Sequence, residues 1–360
     1  MVVIAAHPTA VRSKRMSTRL RISTQTDQLR EGLFGQIILW VFELLPYLDR
    51  KGISPAWAIR STLYGAAPDF LVIPGLLEIN YDTSAEDYQD VNLQDVRDRY
   101  AATLGSDWDY AAALWHKYFR WPERVIQRAD QFPRSDQALG IHYRGTDKNK
   151  SRAETNFVSQ ENFLELVQDF VETHPDIDAI YAATDEDSFI EKIRAQHPSL
   201  EVINSGIATH HKSAAETNLF SKGDHALLDC WLLSRCKYLL KCQSALSGFA
   251  KVLNPKLDAY RVSASKLPYW SWGIPYFPDA YIPKLKSRKP KCQRILAELL
   301  AGDWTEDPVA MMKFGDTFQN KARKGYVRKA GGISKWSLDG LQQRLDSRLY
   351  RIARKLHWHH

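Results

Sequence analysis

The segment Leu139-Gly-Ile-His-Tyr143 constrains this chain more than any other, because a short apolar run ended by a charged loop from Arg144 to Glu154 reads as a strand buried on both faces. A helix is expected next. Phe163, Leu166, Val167, Phe170 and Val171 recur at helical spacing, Ser159 stands where an N-cap belongs, and His174-Pro175-Asp176 stops the run. The alternation then continues with a strand over 179–183, a helix over 188–195 opened by Thr184-Asp-Glu-Asp187, and a strand over 200–203. Leu227, Leu228, Trp231 and Leu232 mark a further helix, 238–240 a strand and 244–253 a helix. Strands alternating with helices in this way predict a parallel, doubly wound sheet whose ligands bind at the carboxyl ends of the strands.

The polar residues fall at those ends. Arg144 with Asp147 and Lys148 follows the first strand, Asp185 the second, and Lys241 with Ser244 and Ser247 the last. An arginine fork binds phosphate oxygens bidentately and keeps its charge, while a helix N-terminus carrying serine hydroxyls adds neutral donors. Such a set suits an enzyme that stabilises the negative charge growing on the leaving diphosphate of a sugar nucleotide. An ion pair of Arg144 with Asp147 or Glu154 that only fastens the loop is the plainer alternative. Upstream, Gly32 and Gly35 precede the apolar stretch 37–48 and read as a glycine loop opening a buried helix, able to bring backbone N–H groups to a phosphate or sugar. A lone Gly-x-x-Gly is a weak signal, and tight packing at a helix start is the plainer explanation. Residues up to about Thr26 read as an arm or irregular strand.

With 360 residues, 44% hydrophobic and 25% charged, the chain has ordinary globular composition and length for two domains. We expect an N-terminal α/β domain over 1–136, a Rossmann-like nucleotide-sugar-binding domain over 137–285 and a C-terminal helical segment over 286–360. The first residues lack the pattern of a secretion signal and no apolar run reaches the ~20 residues of a membrane span, so a cytoplasmic location is expected. Cys230, Cys236, Cys242 and Cys292 form no C-x-x-C pair and read as reduced thiols. The net charge of +7 is concentrated in the tail: from Lys321 onward eleven basic residues face Asp339 and Asp346, so the rest of the chain is slightly acidic. Leu338, Leu341, Leu345, Leu349, Ile352 and Leu356 would form one apolar face of a basic amphipathic helix, fit either for peripheral contact with an anionic membrane or for docking on the protein. A nucleic-acid binder acting through this tail is the rival reading from another functional class.

Three segments, in order, resemble the motifs of the α1,6-fucosyltransferases, a group that includes the core fucosyltransferases and the rhizobial nodulation enzymes. They are His142-Tyr-Arg-Gly-Thr-Asp-Lys148, Ile180-Tyr-Ala-Ala-Thr-Asp185, and Leu228-Asp-Cys-Trp-Leu-Leu-Ser-Arg-Cys-Lys-Tyr-Leu-Leu240 with Ser244 and Ser247. Together they cover about residues 138–255, and Gly32 to Gln36 is similar to the family's N-terminal glycine loop. The resemblance implies a GT-B fold, two Rossmann-like domains with parallel sheets facing a cleft, and transfer of fucose from GDP-fucose to a glycan hydroxyl with inversion and without a metal or other cofactor. It further implies that His142 contacts guanine, Arg144 the pyrophosphate, and Asp229 the guanine N–H edge, with Ser244 in the phosphate-binding stretch. Glu154, three residues before Phe157 as in the family's Glu-x-x-Phe pattern, becomes the base or base relay for the acceptor hydroxyl. The sequence departs from the family in a longer loop between Lys148 and Glu154 and in Gly145, which replaces a second arginine. Another sugar nucleotide is the alternative donor. Asp185-Glu-Asp187 also matches the Asp-x-Asp that binds manganese in the other large transferase fold, and the aromatic segment 268–277 could stack on sugar rings or pack between domains.

Overall fold

The computed structural model describes residues 20–23, 33–60, 71–83, 88–92, 107–133, 136–145, 155–205, 219–264 and 281–303. Gly32, Asp147, Lys148, Glu154, the aromatic segment 268–277 and the basic helix expected in the tail lie outside these residues. In chain order the elements are β1 (Leu20–Ser23), α1 (Leu33–Leu39), a π-helical turn (Trp40–Leu44) running into α2 (Leu45–Lys51), β2 (Ala56–Ala58), α3 (Val72–Gly75), β3 (Glu78–Ile79) and β4 (Gln89–Asn92). Then come α4 (Trp108–Tyr118), β5 (Phe119–Arg120), α5 (Glu123–Ala129), β6 (Leu139–Tyr143), α6 (Gln160–Thr173), β7 (Ala179–Thr184), α7 (Asp187–Gln196) and β8 (Glu201–Ile203). The described chain finishes with α8 (Leu219–Ser234), β9 (Tyr238–Lys241), α9 (Ala245–Leu253), β10 (Asp258–Arg261) and α10 (Pro290–Leu299).

The expected α/β architecture is present, with one parallel sheet in each half of the chain. In the N-terminal half β1 lies between β2 and β4, parallel to both. Of the two readings of residues up to Thr26, arm or irregular strand, the strand holds for Leu20–Ser23, which is the central strand of that sheet with Ile22 fully buried. Gly35 is corrected, since it sits inside α1 rather than in a loop ahead of it, and a Cβ there would meet nothing within 4 Å. The second sheet has the order β10-β9-β6-β7-β8 and is parallel throughout. From β6 the chain moves outward through β7 to β8, then crosses back to lay β9 on the other side of β6. That reversal creates a topological switch point between β6 and β9.

Local chemistry explains the elements. All five residues of β6 are buried, as a parallel strand covered on both faces requires. The Ser159 hydroxyl accepts from the Asn162 N–H at 3.1 Å and caps α6, whose Phe163, Leu166, Val167 and Phe170 are buried on one face. Gly52 ends α2 at φ 63°, in the left-handed region that glycine enters at little cost, and its N–H reaches Asp49 O and Leu48 O. The two faces of the second sheet bury separate clusters. On one face α6, α7 and α10 cover Ile141, Tyr143, Ile180, Ala182 and Leu240. Here Lys289 pairs with Glu172 and Lys291 with Glu165 at 2.7 Å, tying α10 to α6.

On the other face α8 and α9 cover Ala179, Tyr181, Ala183, Leu239 and Ala259, and the same cluster runs on without a break into Leu33, Trp40, Trp57, Trp115 and Phe119 of the N-terminal half. Phe249 of α9 is its keystone: its ring meets Trp115 edge-on at 4.7 Å, stacks on Trp121 at 6.1 Å and meets Phe34 edge-on at 5.9 Å. At the border of this core Arg124 of α5 holds Asp224 of α8 at 2.8 Å and donates to Gly75 O at 3.0 Å. At the outer edge of the second sheet, Arg261 N–H donates to Pro283 O and Leu285 N–H to Arg261 O, both at 2.9 Å. The Arg261 guanidinium meets Asp303 at 2.5 Å, and Lys284 reaches the same carboxylate at 3.1 Å, with Arg261 and Asp303 almost fully buried. No helix among the described residues is long and apolar enough to cross a membrane. Because Phe249 is fully buried between the two halves, Phe249→Ala is expected to cost about 3–5 kcal/mol. Urea unfolding should show that loss while both halves still melt in one transition; two separate transitions in the wild type would contradict the shared core.

Candidate functional site

The carboxyl ends of β6 and β9 form the rim at the switch point. His142, Lys241 and Arg261 pair side by side across β6, β9 and β10, and parallel partners in register point to one face. All three are buried, Lys241 completely. The ladder runs one residue past β9, where Cys242 N–H donates to His142 O at 3.0 Å. The chain then turns into α9. Gln243 N–H donates to the Ser263 hydroxyl at 3.1 Å, and Ser244 takes an extended backbone at the N-terminus of the helix. The first turn of α9 carries no acidic side chain, so the positive end of its dipole is not neutralised from within the helix. Ser247 lies inside α9, fully buried, its hydroxyl 3.4 Å from Ser244 O.

Opposite α9, β6 ends in Tyr143 and the chain leaves the sheet through half-buried Arg144. The Gly145 N–H donates to Asp185 Oδ1 at 3.0 Å, and Asp185, directly after β7, is itself buried. A Cβ at position 145 would overlap the Glu186 carboxylate and lie 2.8 Å from the Tyr143 hydroxyl, so any side chain there would have to displace Glu186. Glu186 in turn accepts from the Gln160 amide. The space a side chain at 145 would take is occupied by the Glu186 carboxylate. Asp187 points outward on the first turn of α7, while Asp185 turns inward to Gly145. Among the described residues no group of three or more His, Cys, Asp and Glu side chains is arranged around a metal position.

Asp229 sits elsewhere in the fold. It lies on α8 in the interior, where its Oδ1 accepts from the Tyr181 hydroxyl at 2.7 Å. Burial pushes its carboxyl up to about 6, against the lowering effects of hydrogen bonds from Tyr181 and Ser205 and the charge of Arg128. Burial beside that carboxylate drives the Tyr181 hydroxyl well above the ordinary tyrosine range. The structure thus gathers His142, Arg144, Asp185 and Ser244 at the strand ends, with Ser247 a turn behind and Asp229 beneath β7. Gly35 is on α1 in the N-terminal half. Sequence reasoning did not single out Glu186, Gln160 or Arg261; the alternation of Leu257, Ala259 and Arg261 was a readable strand signal for the last.

No known family model matches the chain, and no curated protein matches it in sequence. Among solved structures it is similar to a NodZ alpha-1,6-fucosyltransferase soaked with GDP-fucose, at 15% identity over 68% of this chain and 95% of that one, with a TM-score of 0.45. NodZ from Bradyrhizobium matches at 15% identity over 66% of this chain and 94% of that one, TM-score 0.45. A mutant of Arabidopsis thaliana FUT1 in complex with GDP matches at 10% identity over 77% of this chain and 76% of that one, TM-score 0.42.

Asp229 generates a pH prediction. Its folded value lies above that of an unfolded aspartate, so its contribution to stability is fully present below about pH 4 and is lost as pH rises through about 6. Thermal melts of wild type and Asp229→Asn between pH 4 and 8 should show the wild type losing stability relative to the variant up to about pH 6 and then running parallel. A constant difference across that range would place the Asp229 titration elsewhere.

Proposed function

We propose that this chain is a glycosyltransferase that holds a sugar nucleotide, with GDP-fucose as the donor, at the switch point between β6 and β9. The observation that carries the reading is the convergence there of His142 and Arg144, both from the end of β6, with the N-terminus of α9, which follows the neighbouring parallel strand β9. A diphosphate needs fixed positive charge and aligned N–H donors, and both are present at one crevice. The motif resemblance supplies the identity of the base and the sugar, and other sugar nucleotides are the competing donors.

In this mechanism Arg144 binds the diphosphate bidentately while the Ser244 end of α9 donates to phosphate oxygens. His142 contacts the base from its position two residues deeper along β6. Asp229 serves the guanine N–H edge only if its carboxylate is shared with Tyr181, which already occupies Oδ1. An acceptor hydroxyl on a glycan attacks the anomeric carbon in line with the departing GDP, which inverts that centre. Glu154 takes the acceptor proton, and Asp147 and Lys148 belong to the same loop. Charge growing on the β-phosphate meets an arginine whose charge is permanent, so transition-state stabilisation needs no metal. The basic tail would suit acceptors carried on a lipid or membrane surface.

Calorimetry with GDP and GDP-fucose in excess EDTA tests this reading. Wild type is expected to bind both, and Arg144→Ala to lose about 10- to 150-fold in affinity, the range of a lost charged hydrogen-bond pair at ~1.5–3 kcal/mol. No binding by the wild type sinks the GDP assignment; binding that appears only with manganese sinks metal independence.

A further inference from the structure

At the end of β6 the chain leaves the sheet in two steps, each held by a different group. Tyr143 is the last residue of the ladder, paired with Thr184, its ring stacked on Phe189 at 4.3 Å and its hydroxyl donating to Val158 O at 3.2 Å. Two residues on, the Gly145 N–H is taken by the Asp185 carboxylate. A side chain thus supplies the acceptor that a neighbouring strand carbonyl would have supplied had the ladder continued. Arg144 lies between these two anchors. With both flanking peptide units fixed, its φ and ψ are fixed, and with them the direction of its Cα–Cβ bond. A Cβ on Gly145 would point toward the Tyr143 hydroxyl, so positions 143 and 145 share one face and Arg144 emerges on the other, the face of His142.

The geometry points to Asp185 as a positioning residue for Arg144: its carboxylate clamps the main chain at Gly145 and so aims the guanidinium into the crevice between β6 and β9, while the Glu186 carboxylate fills the space a side chain at 145 would take. This inference rests on the reading of that crevice as the diphosphate site of a sugar nucleotide. It gives Asp185 a task that depends on an acceptor oxygen in one place and not on negative charge. Asparagine offers the same Oδ1 with a weaker bond, since a charge-assisted hydrogen bond is about twice as strong as a neutral one. A metal ligand or a general base at 185 would need the charge itself.

The test uses Asp185→Asn, Asp185→Ala and Gly145→Ala in the full chain. Amide exchange at Gly145 is followed by NMR in protein labelled with 15N-glycine, and GDP affinity by calorimetry in EDTA. Asp185→Asn is expected to stay within about threefold of wild type in both measurements. Asp185→Ala should speed Gly145 exchange and weaken GDP about tenfold, the effect of one lost hydrogen bond, and Gly145→Ala should weaken GDP at least as much. Equal damage from Asn and Ala at 185 overturns the clamp in favour of a charge role. Fast exchange with unchanged GDP affinity in Asp185→Ala overturns the aiming of Arg144. Failure of the wild type to bind GDP overturns the diphosphate reading instead, and Gly145 exchange then decides on its own whether Asp185 holds the main chain.

Discussion

The rim depends on β6 being paired along both edges. Its backbone N–H and C=O groups are committed to β7 on one side and β9 on the other, and a slip by one residue would exchange the faces of the sheet that His142 and Tyr143 occupy. The ladder therefore fixes more than a strand. It sets the depth of His142, the point at which Arg144 leaves the sheet, and the distance from there to the start of α9. The switch point exists because the first strand of this half is also the central one, so the chain must cross back over it to complete the sheet.

A second constraint comes from the core beneath α8 and α9. Across the boundary between the two halves the Phe249 ring meets Trp115 edge-on and stacks on Trp121, and within the N-terminal half Trp115 stacks on Phe119 and meets Trp121 edge-on. Sliding one half past the other would separate ring pairs that are individually worth about 0.5–1.5 kcal/mol beyond their burial. The α9 N-terminus, which faces the crevice, is thus backed by the same rings that anchor the N-terminal half. Its position and theirs cannot vary independently.

Much of the C-terminal half was legible because its signals are local. The apolar run 139–143, the Ser159 cap and the helical spacing of Phe163 to Phe170 each lie within a few residues, and the elements formed where those signals stood. The readings that changed depend on distant partners. Leu20–Ser23 carries two arginine-flanked apolar residues and becomes a central strand only because β2 and β4 arrive from more than thirty residues away. Gly145 looks like a missing arginine until Glu186 is seen beside it. The resemblance implies that Asp229 meets the guanine edge, and only the packing of α8 against β7 reveals that it is enclosed with Tyr181.

Arg261 shows what a distant partner can do for an edge. β10 has a neighbour on one side only, and such a strand is a template on which a foreign chain can grow. Here its last residue is already occupied, giving its N–H to Pro283 O and its C=O to the Leu285 N–H. The segment that takes those bonds carries a proline, which cannot donate onward, and is riveted by the buried contact of Arg261 and Lys284 with Asp303. At the other end of the four-residue strand stands exposed Asp258. An incoming strand meets a charge at one end and a closed pair of hydrogen bonds at the other, so the ion cluster of Arg261, Lys284 and Asp303, beside the rim, also closes the sheet edge to pairing with another chain.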